Sequence, residues 1–97
     1  MTIAFDIDGT WDRDCQMWLA LYWCARKNGH TCIFVTGREQ PADKLARLHI
    51  PESAPIIVSG PLLKGAAAAR AGYHVDVWID DMPGMIQDTK ILRDDPL

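Results

Sequence analysis

At 97 residues the chain is long enough for one domain and too short for two. Its 48% hydrophobic and 24% charged content is that of a globular protein and excludes disorder. A net charge of −3, with no basic run longer than Arg26-Lys27, argues against a large electrostatic surface for nucleic acid. No stretch approaches the 18 or so consecutive apolar residues of a membrane span, so no membrane partner is expected. Cys15, Cys24 and Cys32 are odd in number and lack CxxC spacing, which points to a reducing compartment and a cytoplasmic location.

In chain order, Ile3 to Asp8 predicts a first strand that ends in Gly9-Thr10. Asp14 is placed to cap a helix running through Met17, Leu21 and Cys24 to a Gly29 stop, with Arg26 and Lys27 at its negative end. Thr31 to Thr36 is a continuous apolar run, the pattern of a strand covered on both faces. Pro41 opens a second helix that ends before Pro51. Ile56 to Val58 predicts a third strand, and Leu62 to Ala71 a helix whose four alanines let its backbone approach the sheet. Val75 to Ile79 predicts a fourth strand leading into Asp80-Asp81, and Pro83 to Leu92 a last short helix, with Asp94 to Leu97 fraying.

Alternating strands and helices of these lengths predict an α/β fold: a Rossmann-like three-layer sandwich, with a short, mainly parallel sheet of about four strands and helices on both faces. Residues 1–97 form the single domain. Ligands in such sheets bind beyond the carboxyl ends of the strands, where strand order reverses. Three predicted strands end in reactive residues there: Asp6 and Asp8, Thr36, and Asp80 with Asp81.

Asp6-Ile7-Asp8-Gly9-Thr10, Val35-Thr36-Gly37-Arg38, Lys64 near a helix start, and Trp78-Ile79-Asp80-Asp81 resemble, in that order, the four motifs of the haloacid dehalogenase superfamily of phosphotransferases. The resemblance spans most of the chain. It implies a phosphohydrolase in which Asp6 attacks phosphorus and becomes an aspartyl phosphate. Asp8 then protonates the leaving group, deprotonates the attacking water, and lends its backbone carbonyl to the metal. Thr36 and Gly37 would bind the phosphoryl oxygens, and Lys64 would pair with them and with Asp6. Asp80 would be a metal ligand alongside Asp6 and Asp8. Asp81, a ligand through water or a partner that orients Lys64, and Thr10 are supporting residues. Dehalogenases of this superfamily lack an acid at the position of Asp8, so its presence favours phosphatase chemistry.

The residues themselves argue for the same cofactor. Three carboxylates in a partly dry site repel one another unless a cation neutralises them, and Mg²⁺ prefers hard oxygen ligands with no His or Cys. No interval between motifs has room for the cap domain common in the family, and the flap after the first motif is reduced to Trp11-Asp12-Arg13. A capless site implies a phosphorylated substrate that is a macromolecule or a nucleotide, or a cap lent by a partner. Nine consecutive apolar residues, Met17 to Ala25, give the first helix two readings: burial in the core, or a Trp18/Tyr22 face that contacts a homo-oligomer or capping partner. Trp11 either stacks on substrate or plugs the space left by the short flap. The competing functional reading is a weak or inactive relative that only binds Mg²⁺ or a phosphorylated partner.

Overall fold

Four strands, β1 (Thr2–Phe5), β2 (Thr31–Thr36), β3 (Ile56–Val58) and β4 (Val77–Ile79), lie parallel in the order β3-β2-β1-β4 in the computed structural model, which describes residues 1–87. Helices α1 (Cys15–Lys27), α2 (Ala42–Arg47) and α3 (Lys64–Arg70) make the crossovers. The first two crossovers step the chain one way across the sheet, and the third carries it back past β1. Right-handed connections therefore put α1 and α2 on one face and α3 on the other. Side-chain alternation along β1 matches this: Ile3 and Phe5 join Tyr22 and Ala25 of α1, whereas Ala4 joins Ala68 of α3. The three-layer α/β sandwich expected from the sequence is the fold, and its sheet is parallel throughout.

The two faces are packed differently. On the α1 side, Trp11 meets Phe5 edge-on at 5.3 Å and Phe34 at 4.8 Å between ring centres, with Tyr22 stacked near Phe34. Aromatic pairs of this geometry contribute about 0.5–1.5 kcal/mol each beyond the area they bury. Trp11 is fully buried and its indole N–H donates to the Leu48 carbonyl at 2.7 Å, so it plugs the core beneath the short flap instead of facing substrate. On the other side, Ala67 and Ala68 are the buried residues of α3 along with Lys64. Small side chains bring this helix close to the sheet, and that closeness carries Lys64 to the end of β1.

Several element boundaries depart from the sequence reading. β1 ends at Phe5, although the Asp6 N–H still donates to the Ile79 carbonyl at 2.9 Å; beyond it the chain turns through Gly9, at φ +86°, into a single 3-10 turn, Trp11–Arg13. β4 begins at Val77 because the Asp76 carboxylate accepts the Thr2 N–H at 2.8 Å, which takes that donor from the ladder. α3 begins at Lys64, since Leu63 is extended and Leu62 closes a turn onto Ser59. Pro83–Met85 forms one 3-10 turn; the remainder of the helix expected to Leu92, from residue 88, and the fraying expected at Asp94 to Leu97 lie outside the described residues.

Burial sorts the apolar side chains of α1. Asp14 caps the helix as expected, accepting the Met17 N–H at 3.2 Å. Tyr22 is fully inaccessible and Trp18 packs against the same core, its indole N–H donating to the Thr10 carbonyl at 2.9 Å. The Trp18/Tyr22 face therefore packs on the core, Tyr22 wholly and Trp18 in part. The exposed apolar side chains of α1 are Met17, Leu21 and Trp23. Cys32 is a core residue, Cys15 is partly buried and Cys24 is exposed. Among the described residues, no helix is long and apolar enough to cross a membrane.

Candidate active site

The strand order reverses between β1 and β4, and the acids lie beyond the carboxyl ends of these two neighbours. Asp6, Asp8, Thr36, Gly37, Lys64 and Asp80 line one cavity of about 170 Å³, joined there by Arg38, Met82 and Met85. Asp81 and Thr10 stand beside it. The fold thus brings all eight sequence-predicted residues to one end of the sheet.

Lys64 is the hub. Its ammonium donates to Asp6 Oδ1 at 2.8 Å and to Asp80 Oδ2 at 2.7 Å, and all three side chains are at least nine-tenths buried. Burial opposes the charge on Lys64, but the two carboxylates outweigh it and raise its pKa. Asp80, not Asp81, is therefore the residue that orients Lys64. Asp80 is itself fixed by the Met82 N–H, which donates to Oδ1 at 2.9 Å.

The remaining acid is positioned by the core. Trp11 and Trp18 anchor the turn after β1, and this holds the Thr10 hydroxyl where it accepts the Asp81 N–H at 3.1 Å. Its single proton is shared between Asp81 Oδ1 at 3.1 Å and Asp6 Oδ2 at 3.3 Å. Gly9 is required at the same turn: besides its positive φ, a Cβ there would lie 2.5 Å from Asp81 Oδ2. Asp6, Asp80 and Asp81 each offer one oxygen, all within 4.8 Å of one another, a spacing suited to one cation.

Asp8 stands apart from that trio. Its carboxylate accepts from Lys44 at 2.9 Å, from Gln40 at 2.8 Å and from Arg38 at 3.3 Å, which leaves its backbone carbonyl for any role at a metal. Arg38, Gln40 and Lys44 were not assigned roles from the sequence. Arg38 follows directly on Gly37, and that adjacency was a readable signal; the approach of α2, which delivers Lys44, was not. Thr36 is buried, and its hydroxyl is engaged locally, donating to the Arg38 carbonyl at 3.2 Å.

These contacts pull the two aspartates of the first turn in opposite directions. Burial pushes the Asp6 carboxyl up to about 6, against the hydrogen bond from Lys64 and with the help of Asp81 and Asp80. Asp81 is held low by its hydrogen bond with Asp6 and, against desolvation, by that from the Thr10 hydroxyl. Lys44 leads in holding Asp8 below its usual value, against partial burial. A raised folded-state pKa on an acid means that the folded form binds the extra proton, so Asp6 adds stability as pH falls from about 6 toward 4. Asp8 works in the other sense, and its contribution is present above about pH 4 and lost below it. Denaturation in urea with chelator present should accordingly give greatest stability at about pH 4 to 5. A profile that is flat between pH 7 and 5 would contradict the crowding of these acids.

No protein-family model, no curated protein and no solved structure matches the chain, so the geometry of its own side chains carries the functional reading.

Proposed function

We propose that the chain is a capless, Mg²⁺-dependent phosphohydrolase of the haloacid dehalogenase type, acting in the cytoplasm on phosphomonoesters through an aspartyl phosphate on Asp6. The observation that carries this reading is the convergence of Asp6, Lys64, Asp80 and Asp81 at the strand-order reversal, with one buried ammonium spanning two carboxylates at 2.8 and 2.7 Å. A structural ion pair needs one acid. Three acids around a single lysine leave the site short of positive charge, and the raised Asp6 carboxyl is the sign of that shortage.

The donor set fits Mg²⁺: oxygen atoms only, from Asp6, Asp80 and Asp81. Bound there, Mg²⁺ would supply Lewis-acid polarisation of the phosphoryl oxygens and neutralise the acids. Asp6 attacks phosphorus with one oxygen, and the P–O bond to the leaving group breaks. Lys64 offsets negative charge on the transferring oxygens while keeping Asp6 aimed, and the Gly37 N–H offers a further donor. Asp8 gives a proton to the leaving oxygen, then takes one from the water that hydrolyses the aspartyl phosphate. Since Lys44, Gln40 and Arg38 keep Asp8 ionised in the resting site, it gains that proton only when substrate alters these contacts. The same grip on Asp8 is what favours the second reading, a domain that binds Mg²⁺ or a phosphorylated partner without turnover.

Phosphate release from a panel of phosphomonoesters, with Mg²⁺ and with chelator, tests the proposal. Turnover that needs the metal is expected. Silence across the panel while Mg²⁺ still binds would transfer the case to the binding reading.

A further inference from the structure

The cavity around Asp6 measures about 170 Å³, below the roughly 300 Å³ at which pockets begin to enclose a whole ligand. It has room for a phosphoryl group, and the rest of a substrate must lie outside on the rim. On that rim are side chains with no necessary part in the chemistry proposed above. Arg38 and Lys44 bring two full positive charges to the single carboxylate of Asp8, which Gln40 already helps to satisfy. One positive charge is left over. Lys64 cannot share it out, being spent on Asp6 and Asp80.

Arg38 is the looser of the two rim cations. Its side chain is 77% exposed and touches Asp8 through one nitrogen at 3.3 Å, while Lys44 is closer at 2.9 Å and half as exposed. The other guanidinium donors meet no side chain among the described residues. A guanidinium presents paired N–H groups that match two oxygens of a carboxylate or a phosphate. A terminal phosphate group has three such oxygens, so one remains for the neighbouring Lys44 ammonium.

Resting on the phosphohydrolase reading, we infer that the site selects phosphomonoesters carrying a second phosphate group beside the scissile one, and that Arg38 with Lys44 binds this second group. The second phosphate draws Arg38 away from Asp8, so binding of the proper substrate also loosens the cage around the acid. Arg38 is in this sense a specificity residue. A residue that only positioned Asp8 would affect all substrates alike.

The test compares kcat/KM, with Mg²⁺ present, for a nucleoside 3′-monophosphate, the matching 3′,5′-bisphosphate, and a dinucleotide ending in a 3′-phosphate. The last two distinguish a free second phosphate from a phosphodiester. At least one is expected to exceed the monophosphate by about tenfold or more, which corresponds to about 1.4 kcal/mol. Arg38→Ala should bring that ratio close to one, Lys44→Ala should lower it in part, and Arg38→Lys should retain some of it. Equal kcat/KM for all three compounds, or a preference that survives Arg38→Ala, would overturn the inference and leave the hydrolase reading intact. If none of the three is turned over, calorimetric binding of the same compounds decides the inference alone. Tighter binding with the second phosphate that is lost in Arg38→Ala upholds it; equal or absent binding removes it.

Discussion

Asp6→Asn is expected to lower phosphate release by roughly 10⁴-fold or more, because the amide cannot attack phosphorus. Stability should move the other way. At pH 7 the ionised Asp6 is held against burial and against Asp80 and Asp81, so a neutral isostere relieves repulsion while Lys64 keeps Asp80 as its partner. The expected pattern is a protein without turnover whose urea midpoint, measured in chelator, is unchanged or higher. That trade of stability for a charged site is a mark of function. Residual turnover within tenfold of the parent would remove Asp6 from the role of nucleophile.

Lys64→Met should have the largest effect on stability. It leaves three carboxylates at the end of the sheet without their ammonium, and removal of one partner from a buried ion pair costs about 3–5 kcal/mol. Total stability for a domain of this size is about 5–15 kcal/mol, so the variant would lie near the edge of folding. Two conditions should rescue it. Lowering the pH from 7 to 5 protonates the crowded acids, and Mg²⁺ stabilises whichever state holds it by mass action. Urea titrations at both pH values, with and without Mg²⁺, measure each rescue separately. An unchanged midpoint at pH 7 in chelator would mean that Lys64 does not neutralise the cluster.

Much of the frame was legible because several sequence signals agreed. Thr31 to Thr36 matches β2 residue for residue, since its interior, Cys32 to Val35, is continuously apolar and buried. Asp14 and Gly29 bracket α1 for reasons of capping chemistry that act locally. The convergence of Asp6, Thr36, Lys64 and Asp80 follows from topology once the strands are parallel and each residue ends or follows one. What the sequence did not disclose was orientation. In α1, apolar side chains lie on every side, so composition could not say that Tyr22 faces inward and Trp23 outward; only the position of the sheet decides. The same holds for Asp8. Its placement two residues from Asp6 suggested a common carboxylate cluster, but the turn at Gly9 and the approach of α2 give it to Lys44, Gln40 and Arg38. Asp81 takes the vacant place in the trio through Thr10, a contact that spans 71 residues and has no local signature.

The central position of β1, flanked by β2 and by β4, has a consequence for biosynthesis. Thr2 and Asp76, whose contact starts the β1–β4 ladder, are 74 residues apart. At about 5–20 residues per second, a ribosome delivers the second some 4 to 15 s after the first. Until then β1 has one open edge, and Asp6 lacks Asp80 and Asp81, which follow Asp76 in the chain. A nascent chain therefore carries Asp6 in an incomplete cluster, and the acids and Lys64 come together only when β4 joins the sheet.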